Sequence, residues 1–240
     1  SVRPFQGRKD RVRKLTEVSA MWLLDSHPNL VRLVNSWEQF GLLYILSDLC
    51  DQGDLQSLLN SFNLPVPEPF VWKLLSAVSS GLAHIHSHDF VHLDLKPANI
   101  CFADNYATIK IADFGLASPI SSLPSPSSSP SPDHEGDRVY LAPEVLHHGL
   151  CGKPADIFSL GLIVLEMCAN VVLPHNGEEY SQLRSNNLSS AQLDLVSISD
   201  ELRSLISQML DSDPSKRPTA QHIASLPLCS TYSQIPFNLH

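Results

Sequence analysis

The sequence predicts an α+β fold of two unequal lobes, a small mixed lobe joined by a polar connector to a larger, mostly helical one. Three observations carry that prediction. Apolar runs of strand length fall early, at Leu30 to Trp37 and Leu42 to Leu49. Apolar residues at helical spacing dominate after Asp54. Between them lies Asp51-Gln52-Gly53-Asp54, turn chemistry that ends the first lobe. With 240 residues and 43% hydrophobic content, the chain can fill one large or two small cores without disulfides or metals.

Each element follows in order. From Lys9 to Leu24 the residues Val12, Leu15, Val18 (or Ser19) and Trp22 recur at near-helical spacing among charges. This predicts an amphipathic helix with Glu17 inside or at the edge of its buried face. The two strands then form a hairpin through Phe40-Gly41. Leu55, Leu58 and Leu59 suggest a short helix, and Pro69 opens a longer one in which Val71, Leu74, Leu75, Val78, Leu82 and Ile85 keep the 3.6 period. Asn99 to Phe102 and Thr108 to Ile111 read as short strands around an Asp104-Asn105 turn. Ser118 to Pro132 is low-complexity Ser/Pro, which cannot offset its ordering entropy by burial, so a mobile loop is expected there. Ala155 to Asn170 is apolar nearly all round, as in a helix buried within a lobe. Leu202, Leu205, Ile206, Met209 and Leu210 mark another amphipathic helix, ended by Asp213-Pro214.

Composition removes several function classes. Lys plus Arg number 16 against 25 Asp plus Glu, a net charge of -9, which argues against nucleic acid as a partner. Arg3, Arg8, Lys9, Arg11, Arg13 and Lys14 cluster at the start and read as a solvated helix face. Five cysteines without a C-x-x-C pair fit neither a disulfide framework nor a zinc ribbon, and a reducing compartment is expected. Cys50 and Cys101 read as small core residues, with no electropositive sequence neighbour to activate a thiolate. His84, His86 and His88 gain no carboxylate or cysteine to complete a metal set and suit a helix C-terminus instead. The longest apolar stretch, Ile157 to Cys168, is interrupted by Glu166 and too short to span a bilayer, so no membrane contact is expected from this chain itself.

The chemistry is concentrated in three motifs: His92-Leu93-Asp94-Leu95-Lys96-Pro97-Ala98-Asn99, then Asp113-Phe114-Gly115, then Ala142-Pro143-Glu144. Their order and spacing resemble the catalytic loop, metal-binding triplet and segment end of eukaryotic protein kinases. The resemblance implies a bilobal kinase fold that uses ATP and magnesium. Asp94 and Lys96 are then the catalytic pair, and Asn99 and Asp113 the magnesium ligands. Ser47, Asp48, Leu49 and Cys50 fall at the hinge that receives adenine, chiefly through its backbone. Glu17 resembles the helix glutamate that pairs with an ATP-contacting lysine; as an isolated residue it reads as one more surface carboxylate. His92 supports the catalytic loop. Glu144 resembles the partner of a late arginine, here Arg217, in a buried ion pair. Asp156 resembles the aspartate holding the catalytic-loop backbone, although a helix N-terminal charge accounts for it equally.

Finer details narrow the resemblance. His92-Leu93-Asp94 lacks the usual arginine before the catalytic aspartate, and Glu135-Gly136-Asp137 precedes Arg138-Val139-Tyr140-Leu141-Ala142-Pro143-Glu144. Both resemble the Wee/Myt family, and the stretches Ser1 to Arg11 and Leu173 to Glu178 resemble its membrane-associated tyrosine/threonine, or Myt, branch. The resemblance implies a monomeric dual-specificity kinase that phosphorylates adjacent threonine and tyrosine of a cyclin-dependent kinase in its cyclin complex and delays mitosis. It also implies activity without activation-loop phosphorylation, Glu135 and Asp137 supplying fixed charge. By resemblance the whole protein sits on the cytoplasmic face of endoplasmic reticulum or Golgi membranes, while this stretch alone is expected to be soluble and cytoplasmic.

One departure matters. No G-x-G and no Val-Ala-x-Lys occur in the 240 residues, so the expected division is a partial small lobe of two strands and one helix (1–47), a hinge (48–53), a complete large lobe (54–231) with its insert at 118–132, and a tail (232–240). The sequence supports an N-terminally truncated, and as written inactive, enzyme over two alternatives: a pseudokinase scaffold and a serine/threonine kinase with other substrates.

Overall fold

Residues 1–47 form a three-stranded antiparallel sheet and one helix: β1 (Val2–Pro4), α1 (Arg8–Leu23), β2 (Leu33–Gln39) and β3 (Leu42–Ser47) in the sheet order β1-β3-β2. The computed structural model describes residues 1–61, 65–123, 137–169, 172–185 and 198–233, and of Lys9 the backbone only. Phe40 and Gly41 join β2 to β3 with φ of 52° and 73°, the left-handed pair that lets a two-residue loop follow strand twist. The hairpin is the expected one. β1 adds a third strand to the two expected; at three residues, with Val2 opposite Tyr44, it is too short to show alternation.

Both expected strand limits shift for physical reasons. β2 starts at Leu33 because Leu30 and Val31 leave the sheet to pair with Ile111, whose carbonyl accepts the Val31 N–H at 2.9 Å. β3 ends at Ser47 because Leu49 projects into solvent, 82% exposed. The helix α1 forms where expected but presents another face. Val12 and Trp22 are exposed, whereas Glu17, Ala20, Met21 and Leu24 are buried. The small sheet offers little apolar surface, so α1 turns Ala20, Met21 and Leu24 into the core of the large lobe.

The large lobe begins with α2 (Leu55–Ser61) and α3 (Glu68–Ser87), the latter carrying the predicted apolar stripe with Pro69 in its first turn. β4 (Phe90–Val91), β5 (Ile100–Ala103), β6 (Thr108–Ile111) and β7 (Ser118–Pro119) then make two small ladders, β5 with β6 and β4 with β7. The expected mobile loop therefore starts ordered. Ser118 pairs with Val91 and the Ile120 N–H donates to Asp89, so Ser118 to Leu123 are held by backbone bonds the Ser/Pro composition does not reveal. Residues 124–132 lie outside the described residues.

The helices α4 (Pro143–His148), α5 (Lys153–Ala169), α6 (Gly177–Arg184), α7 (Asp200–Met209), α8 (Ala220–Ala224) and α9 (Pro227–Tyr232) complete the lobe. α5 runs through its centre, buried on every side from Ala155 to Cys168, as its composition predicts. Gly161 permits close packing there: a Cβ would stand 2.9 Å from Leu210 Cδ2 and 3.0 Å from Met209 Cβ. Among the described residues no helix is long and apolar enough to cross a membrane.

Candidate active site

The front of the large lobe is organised by a carboxylate on the central helix. Asp156, 1% exposed, accepts hydrogen bonds from the backbone N–H of His92 and of Leu93 and from His86 Nε2, all at 2.9 Å. Burial pushes this carboxyl up, but the His86 hydrogen bond, the His86 and His92 charges and the His92 amide together hold it below the ordinary range. Leu93 has φ of 64°, a left-handed backbone that costs a branched residue roughly 1–3 kcal/mol, and Asp156 fixes its amide. Asp156 is thus bonded to the His92-Leu93 backbone, beyond its place at a helix N-terminus. His86, to which the sequence gives no role, is its third partner; only a histidine placed six residues before His92 hints at it.

His92 then ties this loop to the next motif. Its Nε2 lies 3.2 Å from the Ala112 carbonyl, its Nδ1 accepts the Asp94 N–H at 3.3 Å, and its ring meets Phe114 edge-on at 5.5 Å. The Ala112 N–H donates to the Asn99 carbonyl at 2.8 Å. These contacts put Asp94, Lys96, Asn99 and Asp113 on one front.

Asp94 is fully engaged. Its Oδ2 lies 3.0 Å from Lys96 Nζ and accepts from Asn99 Nδ2 at 3.1 Å, while its Oδ1 accepts the Asp137 N–H at 3.1 Å. Asn99 Nδ2 also donates to the Asp94 carbonyl at 2.8 Å, which leaves the amide oxygen as the atom to offer a cation. Asp113, at φ 61°, accepts the Gly115 N–H at 3.2 Å. An amide oxygen and a carboxylate are the hard donors that magnesium takes, so these residues fit that ion.

Glu17 lies on α1. It is 5% exposed and bonded to Arg3 on β1 at 2.5 Å. Burial raises its pKa, the Arg3 charge opposes that, and the charge of Asp113 adds to it. Glu17 thus has a partner, although the sequence shows no lysine motif before it. Arg3 takes that place because β1 aligns it opposite Leu43, whose side of the sheet is the buried one.

Directly after β3, Asp48 accepts from Lys110 Nζ at 3.0 Å and pairs with Arg32 at 3.4 Å, and those contacts hold its carboxyl below the usual range against burial. Ser47 and Cys50 are half-buried and Leu49 is exposed. Cys50 and Cys101 are not core residues. They are half-buried, and Lys110 is the cross-strand partner of Cys101.

The supports behind the segment end are formed. Arg217 NH1 and NH2 grip Glu144 at 2.7 and 2.8 Å, and its remaining donors meet the Asp211 and Pro154 carbonyls. A residue the sequence does not signal, Arg184, reaches the carbonyls of Arg138, Val139 and Leu141 and stacks on Tyr180 at 3.5 Å. Burial pulls its pKa down to about 10. Beside Asp137 a cavity of about 420 Å³ opens between Gln56, Asn60, Tyr140, Glu166 and His175.

The protein kinase domain matches residues 4–229. The chain belongs to the protein kinase family. It is 42% identical to the mitosis inhibitor protein kinase wee1 of Schizosaccharomyces pombe, over 91% of this chain and 27% of that protein. It is 35% identical to the membrane-associated tyrosine- and threonine-specific cdc2-inhibitory kinase of Drosophila melanogaster, over 93% of this chain and 40% of that protein. A Caenorhabditis elegans kinase of the latter description, wee-1.3, is 38% identical over 92% of this chain and 31% of its own length. The chain thus spans well under half of these relatives, and what it shares with them is the kinase domain of mitosis-inhibitory kinases.

Proposed function

We propose that the chain is the catalytic region of a Myt-type kinase of the Wee/Myt family. The reaction is transfer of the ATP γ-phosphate to the adjacent threonine and tyrosine of a cyclin-dependent kinase, in its cyclin complex, which restrains mitotic entry. The observation that carries the reading is the cluster around Asp94, with Lys96, Asn99 and Asp137 all bonded to one carboxylate. In this reading Asp94 orients the acceptor hydroxyl and takes its proton, exchanging the Asp137 amide for the substrate. Lys96, already 3.0 Å from that carboxylate, sets a positive charge where the γ-phosphate passes. Asn99 and Asp113 hold magnesium, which when bound neutralises charge on the phosphates. Hinge backbone around Ser47 to Cys50 takes the adenine, and Glu17 closes the upper side of the site. Leu93, unable to receive a loop phosphate, supports activity without activation-segment phosphorylation.

The lobe division at 47, 53 and 231 belongs to this reading, as does a monomeric enzyme. Likeness to membrane-associated relatives supports a cytoplasmic-face location on endoplasmic reticulum or Golgi membranes for the whole protein. The test is a kinase assay of the full-length protein on a cyclin-dependent kinase complex with phosphosites mapped. The expected outcome is phosphate on the adjacent threonine and tyrosine, abolished by Asp94→Asn with little change in the thermal midpoint. Phosphate confined to other serines or threonines would replace this reading with a kinase of other substrates, and no transfer at all would favour a scaffold.

A further inference from the structure

From Asp137 to Ala142 the chain is neither strand nor helix, so its carbonyls have no ladder to enter. Side chains take them instead. Arg184, in the last turn of α6, gives Nη2 to the Arg138 and Val139 carbonyls at 3.1 and 2.7 Å and Nε to the Leu141 carbonyl at 3.2 Å. The Tyr180 hydroxyl, one turn earlier, donates to the Arg138 carbonyl at 2.8 Å, and the Ser159 hydroxyl donates to the Tyr140 carbonyl at 2.8 Å. The start of the same stretch lies on Asp94. The Asp137 N–H donates to Asp94 Oδ1 at 3.1 Å, while the Asp137 carboxylate and carbonyl accept the Val139 and Tyr140 N–H at 3.1 and 2.9 Å.

We propose that Arg184 is a positioning residue for the acceptor: by fixing the 138–141 backbone it sets where Asp137 stands against Asp94, and so where an incoming hydroxyl is received. This rests on the reaction proposed for Asp94, in which the acceptor hydroxyl replaces the Asp137 amide at that carboxylate. A group that replaces a backbone amide enters beside its chain, so the acceptor meets this stretch. The cavity lined by Asp137, Val139 and Tyr140 leaves room there.

A packing role alone does not call for arginine. Arg184 is 5% exposed, burial pulls its pKa down to about 10, and among the described residues no carboxylate pairs with it. Its hydrogen-bond partners are all carbonyls, and its guanidinium lies over the Tyr180 ring at 3.5 Å. An apolar side chain would fill the same volume without desolvating a cation. What the planar fork adds is direction: its donors reach carbonyls on both sides of Tyr140 at fixed angles. Lysine keeps the charge but gathers its donors on one atom. Among the described residues no bond joins Asn99 or Asp113 to this stretch, so the nucleotide side is independent of it.

The test is steady-state kinetics of the full-length protein and its Arg184→Lys variant on a cyclin-dependent kinase complex, with acceptor and ATP varied in turn. Hydrolysis of ATP to water is measured without acceptor. The expected result is a fall in kcat/KM for the acceptor of ~10-fold or more, with the KM for ATP and the hydrolysis to water unchanged. Tyr180→Phe, which keeps the ring under the guanidinium and removes one bond to the Arg138 carbonyl, should shift the acceptor kcat/KM the same way by less. Native acceptor kinetics in Arg184→Lys overturn the proposal, as do native kinetics in Tyr180→Phe where the lysine variant does not fold. Acceptor transfer and water hydrolysis that fall together overturn it too, because they mark a structural role. A native full-length protein that transfers nothing to the complex refutes the proposed reaction itself, before any variant is compared.

Discussion

Asp156 positions the proposed catalytic loop without touching any group that would react. Among the described residues it is the one acceptor bonded by the His92 and Leu93 amides and by His86 Nε2. Removing it strands buried donors at about 1–3 kcal/mol each and releases the left-handed Leu93. Asp156→Ala is therefore expected to lower the urea midpoint markedly, while Asp156→Asn, which keeps one acceptor, loses less. Equal midpoints for the two variants would show that the loop is held by something else. Glu166 makes a prediction of opposite sign. Burial raises its pKa above the ordinary 4.5, the Asp137 charge adds to this, and the 2.6 Å Tyr140 hydroxyl bond only partly offsets it. Folding thus takes up a proton above pH 4.5, and the native state is disfavoured as pH climbs toward the folded value. Glu166→Gln keeps an acceptor for Tyr140 without the charge, so the variant gains on the native chain as pH rises through that window. Denaturation across a pH series checks it; a pH-independent difference contradicts it.

At the scale of elements, the contact between α5 and α7 is set by the absence of a side chain at Gly161. Alanine there meets Leu210 and Met209 at 2.9 and 3.0 Å, one of them at its Cβ, which moves only with its backbone. Gly161→Ala is expected to cost about 1–3 kcal/mol by overpacking, despite alanine's better helix propensity. A thermal midpoint equal to or above that of the native chain would show that the two helices separate freely. The same pair shows why elements were legible. α3 and α5 are read correctly because their burial repeats at helical period or all round, a signal local to the segment. α1 is placed correctly but rotated, since Val12 and Trp22 satisfy the period while the burying surface belongs to another lobe. β1 and the β4–β7 ladder are invisible for a related reason: three- and two-residue strands show no alternation and exist through partners far along the chain. The motif residues are named by resemblance, because phosphoryl transfer fixes their chemistry and order; of them the structure bonds Asp94 to Lys96 and Asn99. Arg3, His86 and Arg184 were not legible, because each is defined by a distant partner.

For the whole molecule, phosphoryl transfer requires groups above the nucleotide as well as below it. Asp94, Lys96 and Asn99 are bonded together in the large lobe, and Glu17 is paired with Arg3. Over nucleotide phosphates, however, these 240 residues supply no G-x-G stretch to lay backbone amides across them. Arg3 also differs from an ATP-contacting lysine in use: its guanidinium is committed to Glu17, and its side chain is 38% exposed at the sheet margin. The three-stranded sheet is short of partners too, with β1 reduced to three residues along one side of β3. Each missing positioned donor costs ~10²–10³ in rate, and several are missing together. The purified 240-residue chain is therefore expected to bind ATP weakly and to transfer no measurable phosphate to a cyclin-dependent kinase complex. Fusing a glycine-loop strand pair and a lysine-bearing strand ahead of Ser1 should raise both. Robust transfer by the 240-residue chain, lost in Asp94→Asn, would mean that Arg3 and the catalytic loop alone hold the phosphates, and the argument from the missing loop would fall.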